Sequence, residues 1–173
     1  MLSDQEREHL RRMKDVILFR YLDESMLEEI LRISEVAQYE PESRIIAEGD
    51  EDPYLYVVLS GSVTVSVREQ SGKDVYISTI GEGDVFGEAG MFVKSKRTAN
   101  VFTVTDTVLL RLHRQEFIRF IKAQPAAGIK MLMIIIYSLL RKLREANQEL
   151  AFERKTHFNQ EDVDSLIDEI MRG

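Results

Sequence analysis

Apolar residues recur at helical spacing through the first part of the chain, with Leu10, Met13 and Ile17 on one face and Leu27, Ile30 and Leu31 on another. The pattern predicts covering helices from Ser3 to about Tyr39. From Tyr39 the period falls to two: Val57 and Leu59, then Val63, Val65 and Val67, alternate with polar residues, and glycines at 49, 61, 72, 81, 83 and 87 punctuate the run. Short strands at that spacing predict a β-sandwich or barrel. A last strand pair, about 99–105 and 108–112, closes the region before Arg114-Gln115-Glu116-Phe117 opens a helix, and Pro125 marks a break.

Beyond the break the period lengthens again. Ile129, Leu132, Ile136, Leu139, Leu143, Ala146 and Leu150 alternate steps of three and four, the a/d seam of a coiled coil. The seam either packs on its own barrel or meets a second copy. Charges at Arg141, Lys142, Arg144, Glu145 and Glu149 flank its second half, which favours a parallel homodimer. Residues 151–158 are polar and read as a linker; Asn159 then caps a short helix with Val163, Leu166, Ile167, Ile170 and Met171 on one face. Its opposite face, with Glu161, Asp162, Asp164, Asp168 and Glu169, is acidic, a layout suited to a groove on a partner or on its own dimer. The expected division is therefore 1–38 N-terminal helices, 39–124 β-barrel, 125–150 long dimerisation helix, and 151–173 linker and acidic amphipathic helix.

Composition narrows the chemistry. A chain of 173 residues with 44% hydrophobic content supports one principal domain with a core of its own. A net charge of -7 argues against broad nucleic-acid binding, which needs clustered Lys and Arg. The absence of cysteine removes disulfides, thiolate chemistry and cysteine-held metal clusters. The polar N-terminus lacks the apolar stretch of a secretory signal, and the most apolar window, 131–140, is too short to span a bilayer, so a cytoplasmic location is expected. His9, His113 and His157 show no metal-ligand spacing, and no metal site is expected.

The densest chemistry lies at Gly83-Asp84-Val85-Phe86-Gly87-Glu88-Ala89-Gly90-Met91, followed by Arg97-Thr98-Ala99-Asn100-Val101. Glycines at 87 and 90 let backbone amides approach an anion, Glu88 is a fixed acceptor for sugar hydroxyls, and Arg97 is a planar donor fork for phosphate. That set suits a charged nucleotide. A mutual salt bridge between Glu88 and Arg97 is the competing, purely structural role.

With these residues in place, the stretch from Phe19 to Leu150 resembles the cyclic nucleotide-binding domain family of catabolite activators and of the regulatory parts of cyclic-nucleotide-dependent kinases and channels. The resemblance is carried by Tyr39-Glu40-Pro41, Ile45-Ile46-Ala47-Glu48-Gly49, Tyr56-Val57-Val58-Leu59-Ser60-Gly61-Ser62-Val63, Gly81-Glu82-Gly83-Asp84-Val85-Phe86-Gly87-Glu88 and Arg97-Thr98-Ala99, in that order. It implies an α+β, mainly β fold: a β-roll or jelly-roll barrel with flanking N-terminal helices and a long C-terminal dimerisation helix. The chain departs from the family at Glu42, where relatives often have glycine after the proline.

By that resemblance Glu88 accepts from the ribose 2'-hydroxyl and Arg97 pairs with the cyclic phosphate, within a ligand-binding set of Phe86, Gly87, Glu88, Ala89, Arg97, Thr98, Ala99 and Asn147. The ligand is cyclic AMP or cyclic GMP, with no further cofactor. Thr98 sits where cyclic-GMP-responsive relatives often have threonine, whereas Ala146-Asn147 replaces the Thr-Ser pair that meets adenine in catabolite activators. The base stays open on those residues. Relatives continue into a winged helix-turn-helix; residues 151–173 carry no recognition helix, so direct DNA binding is not expected and output is expected through a protein contact. The segment 159–167 is similar to the short N-terminal segment of flagellar switch proteins that binds response regulators. No membrane partner is expected.

Two other classes stay open. An enzyme is not expected, because Gly81-x-Gly83 with Gly87 has neither the spacing nor the βαβ setting of a dinucleotide fingerprint. A barrel of this fold without a ligand, serving as a dimeric scaffold or adaptor, or one sensing haem or another small molecule, is the remaining alternative.

Overall fold

The computed structural model describes residues 3–69, 71–93 and 96–171, with side chains described as far as Phe152. The chain divides into two compact units, Met1–Ile135 and Ile136–Gly173.

In the first unit, α1 (Asp4–Asp15) starts at a capping box in which the Ser3 side chain accepts from the Glu6 backbone and the Glu6 carboxylate accepts from the Ser3 backbone. A 3₁₀ turn (Ile17–Phe19) and α2 (Glu24–Arg32), capped by Asp23, follow. The helical reading of 3–39 holds only to Arg32. Residues 34–39 form strand β1, whose antiparallel pairing runs from Ser34↔Leu112 to Tyr39↔Thr107. Six residues carry too little periodicity to decide between helix and strand, and the long-range partner decides it.

The strands are β1 (Ser34–Tyr39), β2 (Arg44–Ile46), β3 (Tyr54–Ser60), β4 (Ser62–Arg68), β5 (Asp74–Gly81), β6 (Val85–Phe86), β7 (Asn100–Thr103) and β8 (Thr107–His113). They form two antiparallel four-stranded sheets in the orders β1-β8-β3-β6 and β2-β7-β4-β5, the expected jelly-roll. Between β6 and β7 lies the short helix α3 (Ala89–Phe92), and after β8 comes α4 (Arg114–Ala123).

The first sheet is covered on both faces. Tyr56, Val58, Phe86 and Leu109 point into the roll against Ile46, Val63, Ile80 and Val101 of the second sheet. Leu55, Val57, Leu59, Val85, Leu110 and Leu112 point the other way, into a larger core with Leu10, Met13, Leu27, Ile30, Phe117 and Phe120. This is why β3 reads as a nearly unbroken apolar run while β4 alternates.

Pro125 stands at the first position of α5 (Pro125–Met171), where a missing N–H costs nothing. Ala127, Met131 and Ile135 join the larger core. The backbone is helical through 151–158, where the sequence pattern suggested a linker: no glycine or proline lies there to end the helix. The amphipathic face and flagellar-type segment of 159–173 lie outside the described side chains. No helix among the described residues is long and apolar enough to cross a membrane.

Glu42 is the described non-glycine residue with positive φ, at 64°. Its amide donates to Thr103 O at 2.9 Å, so the turn is held in that conformation. A left-handed side-chain-bearing residue costs on the order of 1 kcal/mol. Glu42→Gly is therefore expected to raise stability by about 1 kcal/mol, read as a higher denaturation midpoint in urea with an unchanged slope. A lower midpoint would show that Glu42 contributes a contact that outweighs its backbone strain.

Candidate functional site

Arg97 is where the fold converges. Its backbone is stitched to the loop that leads into β3: Arg97 N–H donates to Asp50 O at 2.8 Å, and Gly49 N–H donates to Arg97 O at 2.8 Å. Its side chain then follows the same loop. Nη2 donates to Tyr54 O at 2.7 Å and lies 3.5 Å from Asp52 Oδ2, while Nη1 donates to Gly87 O at 2.9 Å. The residue is 9% exposed, and its Nε–H is buried with no hydrogen-bond partner among the described residues. A buried guanidinium with an unfilled donor edge is costly unless an anion completes it.

The glycines explain how the guanidinium fits. Gly87 has φ 79°, and a Cβ there would lie 2.9 Å from Tyr54 O and 3.1 Å from Arg97 Nη1. On Gly90 a Cβ would lie 2.8 Å from Nη1 and 2.8 Å from Asp52 O. The sequence suggested that these glycines admit an anion to the backbone; in the structure they make room for the arginine.

Glu88 follows Gly87 at the N-cap position of α3 and is 5% exposed. The ion pair of Arg97 is with Asp52, on the 49–54 loop. Phe86 is 3% exposed and stacks on Tyr56 with ring centroids 4.8 Å apart and planes at 4°, so it belongs to the wall of the roll. Ala89 and Thr98 are exposed and Ala99 is half-buried. Asn147 is an exposed residue of the second unit. Lys96 is exposed, as the sequence suggested; Lys94 lies outside the described residues.

Asp52, Tyr54 and Tyr56 are absent from the sequence-based set. Asp52 Oδ1 accepts from Tyr54 N–H at 3.1 Å, and Oδ2 accepts from the Tyr56 hydroxyl at 2.8 Å. Burial, and then the Asp52 charge, push the Tyr56 hydroxyl above its usual range, so it stays protonated. The only local signal was the acidic run Asp50-Glu51-Asp52 ahead of Tyr54-x-Tyr56, which carries no spacing specific to a site.

Clefts of about 430 and 650 Å³ open on either side of Asp52. The smaller is lined by Ile45, Ile46, Tyr54, Tyr56 and Arg111, the larger by Gly90, Val93, His113, Arg114 and Ile118. Neither is lined by Glu88 or Arg97, which are 5% and 9% exposed. His113 Nδ1 accepts from Gln115 N–H at 3.1 Å and caps α4, an engagement that takes up one ring nitrogen. Among the described residues no group of His, Asp and Glu side chains is arranged to hold a metal.

With that geometry in place, the comparisons are specific. The family model described as "Cyclic nucleotide-binding domain" matches residues 36–124. The cAMP-activated global transcriptional regulator CRP of Haemophilus influenzae is 32% identical over 114 residues, 65% of this chain and 49% of that protein. The crystal structure of the Thermus thermophilus catabolite activator protein superposes with a TM-score of 0.66 at 29% identity, covering 78% of this chain and 62% of that one. The regulatory domain of Toxoplasma gondii PKA, solved with cAMP, gives a TM-score of 0.60 at 28% identity over 69% of this chain and 46% of that one. The chain spans about half the length of the curated relatives it matches.

Proposed function

We propose, from the premise that this chain belongs to the cyclic nucleotide-binding domain family, that it is a regulatory sensor whose roll binds cyclic AMP or cyclic GMP. The observation that carries the reading is the Nε–H of Arg97, a buried charged donor without a partner among the described residues. In this reading the cyclic phosphate takes that edge of the guanidinium. Glu88, at the start of α3, accepts from the ribose 2'-hydroxyl, and Gly87, Ala89, Thr98 and Ala99 line the phosphate and sugar. Because Glu88 and Arg97 are only 5% and 9% exposed, the segment around them opens to admit ligand.

The same reading makes the protein a homodimer through α5 that signals by protein contact, with Asn147 meeting the base and residues 159–173 offering the contact surface. A ligand that shifts the α5 arrangement by about 1 to 3 kcal/mol suffices for a useful switch. The test is calorimetric titration with a panel of cyclic and linear mononucleotides. Saturable binding of a cyclic purine nucleotide, and weaker binding of its linear 5'-monophosphate, is the expected result. Equal binding of both, or of neither, removes the reading.

A further inference from the structure

The guanidinium edge that a phosphate would use is already contested. A phosphate binding an arginine side-on takes Nε–H together with the adjacent N–H of Nη2. Nε–H has no partner among the described residues, but Nη2 faces Asp52 Oδ2 at 3.5 Å, and both side chains of that pair are largely buried. That separation is longer than the roughly 2.8 Å of a charge-assisted hydrogen bond. Two other donors hold the carboxylate back: Tyr54 N–H on Oδ1 and the Tyr56 hydroxyl on Oδ2, the same oxygen that faces Arg97. Tyr56 is itself fixed by its stack on Phe86.

We propose that Asp52 is a resident counter-ion that competes with the incoming phosphate for Arg97, and that the Tyr56 hydroxyl sets the strength of the competition by restraining Asp52. The inference rests on the reading of Arg97 as the phosphate partner. Before ligand arrives, Asp52 neutralises the buried guanidinium. When phosphate arrives, the Tyr56 hydroxyl and the Tyr54 amide retain Asp52, so the carboxylate gives up Arg97 without being left unpaired. Affinity is therefore tuned from outside the ligand contacts, by two residues that need not touch the nucleotide.

The two residues should act with opposite signs. Asp52→Asn keeps an oxygen for the Tyr54 amide but deletes the competing charge, so cyclic nucleotide binding tightens, on the order of tenfold. Tyr56→Phe removes the restraint, Asp52 closes on Arg97, and binding weakens, on the order of threefold. In the double variant the effect of Tyr56→Phe vanishes, because it has no carboxylate to release.

The experiment is isothermal titration of the full chain with cyclic AMP and cyclic GMP, each variant first checked for a wild-type melting transition. Asp52→Ser, which also offers an acceptor to Tyr54 N–H, stands in if Asp52→Asn does not fold. Tightening in the charge-deleted variant, weakening in Tyr56→Phe and loss of the Tyr56 effect in the double variant are expected. If Arg97→Ala loses binding while removal of the Asp52 charge leaves affinity unchanged or lowers it, Asp52 positions Arg97 rather than competing for it, and the inference is overturned alone. If Arg97→Ala binds like wild type, the reading of the site falls and the inference with it.

Discussion

Replacing Arg97 with alanine is expected to weaken cyclic nucleotide binding by about 2 to 5 kcal/mol, the range for removing one partner of a buried charge-assisted pair. The size follows from burial: a guanidinium 9% exposed has little water to screen it, and its Nε–H has no other partner among the described residues. The substitution also removes the bonds to Tyr54 O and Gly87 O and leaves Asp52 without its ion pair, so some stability is lost as well. Binding is therefore measured well below the melting transition of each variant. Arg97→Lys separates charge from shape. A lysine retains the cation but cannot span Gly87 O, Tyr54 O and a phosphate with one planar group, so an intermediate loss is expected. Affinities equal to wild type in both variants would show that Arg97 serves only to tie the 49–54 loop to the segment after β6.

The sequence carried the architecture well where physics is local. Alternation in Ser62–Arg68, glycine punctuation and the a/d seam each follow from a neighbour-to-neighbour period, and the structure has β4, its turns and α5 at those places. Reading failed where the deciding partner is far away. Residues 34–39 pair with 107–112, and nothing within Ser-Glu-Val-Ala-Gln-Tyr encodes that pairing. The site shows the same division. Glycine, glutamate and arginine are legible as a motif, and the motif lies within the stretch that matches the family.

What Arg97 touches is not legible, because Asp52 and Tyr54 approach it only after the loop into β3 has been bonded to its backbone at Gly49 and Asp50. The glycines illustrate the point further. Gly87 and Gly90 read alike whether they admit a ligand or a side chain, and the room they leave for Arg97 shows only once the guanidinium is placed. Glu42 shows the converse: a departure from the family's glycine has a structural trace in its φ of 64°.

Introducing a charge into the seam of α5 is expected to convert the proposed dimer into a monomer. Ile129, Ile136, Leu143 and Leu150 stand at intervals of seven and are 60%, 48%, 59% and 53% exposed, while Met133 and Leu140, one step beyond the d positions, are 62% and 59% exposed. Meanwhile Ala127, Met131 and Ile135 occupy a different face of the helix and are buried in the larger core. Over 127–135 the larger core covers one face of the helix and part of Leu132, while Ile129 and Met133 stand exposed on another. A continuous apolar stripe of this width on a single helix marks an interaction surface.

Symmetric pairing through it buries each seam residue twice, once per copy, at about 2 kcal/mol per fully buried leucine or isoleucine. Leu143→Asp removes two such side chains and places two carboxylates of like charge across the seam from one another, each costly to desolvate. Sedimentation of the wild type at micromolar concentration is expected to give a dimer, and that of Leu143→Asp a monomer with the same melting transition for the roll. Reversing the charge of the exposed Arg144, on the same stretch of helix, should leave the dimer intact. A wild type that sediments as a monomer over the whole concentration range, or a Leu143→Asp variant that stays dimeric, would place the assembly elsewhere on the molecule.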